Sequence, residues 1–146
     1  MATFISHSPA ETEALGEKLG RAAKRGWVIA LTGELGAGKT RLVRGLARGL
    51  DIPVRVHSPT FTLVNEYGGG RHRLFHLDLF RLETRAQFVS VGLADFLQPD
   101  GVAVIEWAER LGTDDWGNRR EGKWISVVIE ILNEFERKIV YDDFSA

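Results

Sequence analysis

Residues 31–42 read LTGELGAGKTRL, and within them Gly33-Glu34-Leu35-Gly36-Ala37-Gly38-Lys39-Thr40 follows the pattern G-x-x-x-x-G-K-[ST]. Glycines at such spacing let successive backbone N–H groups curl around a phosphate with no Cβ in the way. The flanks supply the context the pattern needs. Ahead of it, Trp27–Leu31 is a short continuous apolar run, the signature of a strand buried on both faces. Behind it, Thr40–Leu50 places Leu42, Val43, Leu46 and Ala47 on one helical face and Arg41, Arg44 and Arg48 on the other. A helix starting near Gly38 turns its unpaired N–H groups and positive dipole end toward the loop, which favours an anion there. Gly33, Glu34, Leu35, Gly36, Ala37, Gly38, Lys39, Thr40 and Arg41 are therefore the expected nucleotide-binding residues. Lys39 would reach the β- and γ-phosphates and the Thr40 hydroxyl would bind Mg²⁺.

Working outward, Ser8-Pro9-Ala10-Glu11 has the form of a helix start, with Ser8 as the cap, and a helix is expected from about Pro9 to Lys24, broken by Gly26. After Asp51-Ile52-Pro53, the runs Thr60–Tyr67 and Arg73–Leu79 flank Gly68-Gly69-Gly70 and predict a hairpin. Thr84–Leu97 reads as an irregular helix. Val102–Ile105 predicts a second buried strand, ending in Glu106-Trp107. Trp124–Leu132 and Phe135–Tyr141 predict a final antiparallel pair. The expected architecture is a single α/β domain over residues 1–146. It is a P-loop NTPase fold with a mostly parallel central sheet, flanked by helices, with antiparallel strands added.

A phosphate loop of this kind works with a second acid at the end of a neighbouring strand. Glu106, directly after the apolar Val102–Ile105, meets that description and is the expected second metal residue beside Thr40. Asp78 stands inside His76-Leu77-Asp78-Leu79-Phe80-Arg81, where aspartate is disfavoured in a strand interior. Two readings of it stay open: a group that positions water or binds Mg²⁺ through water, and a strand-end cap paired with Arg81. His57-Ser58-Pro59-Thr60-Phe61 follows the loop's helix, where switch proteins keep a segment that senses the γ-phosphate. Thr60 fits that role, and turn chemistry around Pro59 accounts for it equally well. His72 and His76 lack a third ligand and read as ordinary, partly exposed histidines. Asp114-Asp115-Trp116-Gly117 matches D-x-x-G by chance, since no N-K-x-D for guanine accompanies it. For the base, the segment around Ser8 and Thr12 is the one candidate.

Composition narrows the classes. The chain has 146 residues, 44% hydrophobic and 27% charged, as in an ordinary globular domain. A net charge of -1 supplies no global field for nucleic acid. With no cysteine, disulfides and thiolate chemistry are excluded. No apolar run approaches the roughly 20 residues of a membrane span, and the N-terminus lacks a secretory pattern. A soluble cytoplasmic protein is expected.

The order GELGAGKT, HSPTFTLVNEY, HLDLFRL, VIEWAER, from about Pro9 to Arg110, resembles the TsaE (YjeE) family. These are small bacterial ATPases of tRNA threonylcarbamoyladenosine (t6A) biosynthesis. The resemblance implies ATP and Mg²⁺ as cofactors and Gly33–Thr40 as the Walker A loop. It also implies a switch-like loop at Ser58-Pro59-Thr60, Asp78 as the aspartate needed for hydrolysis, and Glu106 as a magnesium residue. It further implies low ATPase activity alone, coupled to the TsaD–TsaB synthase that modifies adenosine 37 of ANN-decoding tRNAs, with tRNA met only indirectly. One position departs: the family usually has Tyr where this chain has Phe80, so any role of that hydroxyl is lost. The main rival is a small P-loop kinase with Arg119-Arg120 in a lid. A nucleotide-dependent binding module with negligible catalysis is the second.

Overall fold

Val28–Leu31 is buried on both faces, as its unbroken apolar run predicts, and it forms the middle of a single mixed sheet. The computed structural model describes residues 1–34, 36–53, 56, 64–79, 86–87, 96, 99–108 and 123–142. The elements are β1 (Ala2–Ser6), α1 (Pro9–Ala22), β2 (Val28–Gly33), α2 (Lys39–Gly49), β3 (Val64–Tyr67), β4 (Leu74–Asp78), β5 (Val102–Glu106), β6 (Trp124–Ile131) and β7 (Arg137–Tyr141). The seven strands lie in the order β1-β7-β6-β2-β5-β4-β3. The inner four, β6, β2, β5 and β4, are parallel to one another. β7 and β3 run against their neighbours, and β1 against β7. The α/β expectation holds, with antiparallel strands at both edges of a parallel centre. β1 is an addition: the sequence reading began its elements at Ser8. The expected Thr84–Leu97 helix lies mostly outside the described residues, with Ala86, Gln87 and Phe96 helical.

Strand alternation sorts the core into two layers. Ile29, Leu31, Leu74, Val102, Val104, Ile125 and Ile129 pack with Leu15 and Leu19 of α1 and Leu42, Val43 and Leu46 of α2. Val28, Ala30, Leu77, Ala103 and Ile105 face the other way, toward Phe96, Trp107 and Trp124. α1 and α2 thus cover the same face of the sheet, and helical Phe96 packs on the other. Period 2 puts His76 and Asp78 of β4 on that helix-covered face with Leu74, and Glu106 of β5 with Val102 and Val104.

α1 starts where its cap predicts. The Ser8 hydroxyl accepts from the Glu11 N–H at 3.1 Å, and Glu11 Oε1 accepts from His7 N–H at 3.2 Å. α1 and α2 then meet backbone to backbone. A Cβ on Gly16 would overlap the Leu42 carbonyl oxygen, and one on Gly45 would overlap the Glu13 carbonyl oxygen. Gly20 and Gly49 sit one turn further along each helix in the same situation. At that end Arg71 Nη2 donates to the carbonyls of Gly20 at 2.7 Å and Gly49 at 3.0 Å, joining the C-termini of both helices. The seam fixes α2, and hence the loop before it, against α1.

Candidate functional site

β2 carries the chain to Gly33, where β6 leaves no room for a side chain: a Cβ there would lie 2.9 Å from the Ile129 carbonyl oxygen. The loop then turns through left-handed backbone at Gly36 (φ 81°) and Gly38 (φ 104°). Only glycine enters that region freely. Gly38 caps α2 with no side-chain hydrogen bond, so no side chain competes for the helix start. Glu34 and Gly36 are exposed, Ala37 and Lys39 buried, Gly38 and Thr40 half-buried. Leu35 lies outside the described residues.

Lys39 is only 6% exposed. Its Nζ donates to the Gly33 carbonyl at 2.7 Å and sits 3.6 Å from the centre of the Trp107 ring, a cation–π contact. Trp107 takes φ 60°, a costly conformation for a bulky residue, of order 1–3 kcal/mol. This kink ends β5 and delivers the indole onto the loop's lysine. The end of β5 and the phosphate loop are therefore in direct contact.

The two acids stand side by side. Asp78 and Glu106 are register partners at the C-terminal ends of β4 and β5, and Leu31 of β2 pairs with Glu106 on the other side. Ligand crevices of open α/β sheets form at this end of the parallel strands. Glu106 is 4% exposed, and its Oε2 is hydrogen-bonded to Nε2 of His76, which is fully buried. This corrects the expectation for His76, which is not an ordinary, partly exposed histidine. His72 precedes β4 and is half-buried, apart from this pair.

One cavity borders the loop and a second lies beside α2. The first, of about 550 Å³, lies between the N-terminus of α1, the loop at Gly36–Gly38 and the β6–β7 turn, and includes Ser8, Thr12, Arg41 and Phe135 in its lining. Arg137 Nη2 reaches the Gly36 carbonyl at 3.3 Å, and His7 Nδ1 pairs with Glu136 Oε2 at 2.9 Å, so the turn is tied to both other walls. Ser8 and Thr12 do line this cavity, while Phe135 and Arg137 were missed. Their turn is distant in sequence and carries no motif. The second cavity, of about 380 Å³, lies on the outer face of α2. There Glu13 bridges Arg41 at 3.3 Å and Arg48 at 3.2 Å, and Arg44 Nε donates to the Val56 carbonyl at 3.0 Å. Arg41 borders both cavities.

Thr60 with His57, Ser58 and Pro59, the Phe80-Arg81 pair, Asp114–Gly117 and Arg119-Arg120 lie outside the described residues. Among the described residues, no group of three or more His, Asp or Glu is placed to hold a metal on protein ligands alone. A magnesium ion that shares oxygens with nucleotide phosphates needs only one or two carboxylates and a hydroxyl. Thr40, Glu106 and Asp78 suit that requirement.

Residues 6–139 match the family model described as Threonylcarbamoyl adenosine biosynthesis protein TsaE. The chain is 36% identical to tRNA threonylcarbamoyladenosine biosynthesis protein TsaE of Bacillus subtilis, over 92% of this chain and 80% of that protein. It is 38% identical to the protein of the same name from Aquifex aeolicus, over 92% and 91%, and 42% identical to that from Treponema pallidum, over 75% and 81%. A crystal structure titled Bacillus subtilus YdiB superposes with a TM-score of 0.72 at 28% identity, over 96% of this chain and 83% of that one. Motif order, fold and similarity over most of the chain agree, and the chain belongs to the TsaE family of threonylcarbamoyl adenosine biosynthesis proteins.

Proposed function

We propose that this protein binds and hydrolyses Mg-ATP on a P-loop NTPase fold, and that the hydrolysis cycle serves t6A formation by the TsaD–TsaB synthase. One observation carries the reading. The Gly33–Thr40 loop joins β2 to α2, and two acids, Asp78 and Glu106, end the neighbouring parallel strands beside it. A bound magnesium ion would neutralise charge on the β- and γ-phosphates during transfer to water.

The chain's own residues supply the rest. Loop N–H groups and the start of α2 cradle the phosphates. Lys39 leaves the Gly33 carbonyl and turns its ammonium to the β/γ-phosphates, where charge develops in the transition state. Thr40 and Glu106 would hold the metal and its water shell. Asp78 orients the attacking water. Thr60 senses the γ-phosphate and relays it to the partner. The base occupies the cavity beside Gly36–Gly38, with Phe135, 71% exposed, available to stack on it. Hydrolysis is coupled to a partner's state, as the family's place in threonylcarbamoyl adenosine biosynthesis supports. tRNA is met through the synthase only, in the cytoplasm. The test is phosphate release from Mg-ATP by wild type and Lys39→Ala. Equal turnover in the two proteins would refute the loop assignment.

A further inference from the structure

We propose that His76 is a positioning residue for Glu106, fixing one carboxylate oxygen so that the other faces the metal's water shell. The inference rests on the metal role given to Glu106 above. Its basis is a buried polar pair packed among apolar side chains. His76 and Glu106 lie on the helix-covered face of β4 and β5, among Leu31, Leu74, Val102 and Val104. Such a pair earns little stability there, because well-packed apolar residues of similar volume are generally as stable or more so.

The bonding pattern is one-sided. Glu106 gives Oε2 to His76 Nε2, and among the described residues this is the only hydrogen bond of its side chain. His76 Nδ1 is buried with no partner among the described residues. An unpaired ring nitrogen is tolerable as a bare lone pair and costly as an N–H. A proton on Nε2 therefore fits, donated to the Glu106 side chain. Held this way, Glu106 loses the rotation about its last torsion, which is otherwise broad. The strand frame completes the alignment. His76 stands two residues before Asp78 on one face of β4, so a single strand carries the hydrolytic acid and the support of the metal acid. Supporting hydrogen bonds of this kind typically change metal affinity about 10–100-fold when removed.

The experiment measures Mn²⁺ affinity by electron paramagnetic resonance in the AMP-PNP complex, and AMP-PNP affinity separately in EDTA. His76→Leu is expected to weaken Mn²⁺ about tenfold or more while leaving the EDTA affinity unchanged. His76→Gln, whose amide nitrogen reaches the position of Nε2, is expected to recover most of the loss. His76→Asn, whose amide stops near Nδ1, is expected not to. Glu106→Gln serves as the control. Wild-type Mn²⁺ affinity in His76→Leu, with a loss in Glu106→Gln, overturns the positioning role and leaves the metal role of Glu106 standing. Wild-type affinity in both variants overturns the metal role itself. A loss that is equal with and without metal assigns His76 to the fold alone. Should His76→Leu fail to fold, equal Mn²⁺ affinities in the Gln and Asn variants overturn the proposal.

Discussion

Lys39 is the residue on which the site turns. Its ammonium is held between the Gly33 carbonyl and the Trp107 ring. Lys39→Ala is expected to cut ATP turnover at least about a hundredfold, the scale of losing one preorganised transition-state contact; a phosphate-release assay checks it. Asp78→Ala is expected to lower kcat about a hundredfold or more with nucleotide affinity nearly unchanged, as for a group acting in the transition state. Parallel losses in kcat and affinity would make Asp78 a ligand or structural residue. Glu106→Ala is expected to weaken Mg-nucleotide binding more than binding in EDTA, measured by calorimetry. The loop residues were legible in sequence because their spacing encodes a backbone shape. Glu106 and Asp78 were legible as acids ending or interrupting apolar runs. The burial of His76 was not, because it depends on which strand lies beside β4. The contact between Trp107 and Lys39 depends on a single left-handed residue at the end of β5, which no local preference announces.

α1, α2 and the β6–β7 turn line the cavity beside the loop. Gly45 sits in the α1–α2 seam, where a Cβ would meet the Glu13 carbonyl. Helix propensity alone would make Gly45→Ala stabilising by about 1 kcal/mol. The backbone overlap wins, and a net loss of about 2 kcal/mol is expected in chemical denaturation. Gly68→Ala, with open space around it, should stay within about 0.5 kcal/mol of wild type. Phe135→Ala is expected to raise the ATP dissociation constant about fivefold or more, the scale of a lost base–aromatic stack. No change would remove the base from that cavity. At this scale the buried strands and the Ser8 cap were readable from periodicity and capping chemistry. β1 was not: it is a short edge strand, only partly buried except at Ser6, and gives a weak pattern. The glycine seam was also hidden, because helix spacing shows which glycines align but not that another helix meets them.

At the scale of the whole molecule, sheet order explains why residues remote in sequence share one site. β2 sits between β5 and β6, and β4 beyond β5, so Gly33, Glu106 and Asp78 arrive at one end of the parallel strands. The loop motif required a strand and a helix around it but could not order the remaining strands. That order is fixed by long-range pairing and by the two core layers. The most direct measurement is phosphate release from Mg-ATP by the chain alone and with the TsaD–TsaB complex of its own organism. Partner-coupled hydrolysis predicts slow release alone, a clear rise when the complex is added, and no rise with Lys39→Ala in place of wild type. Release by the wild-type chain that ignores the complex would contradict it.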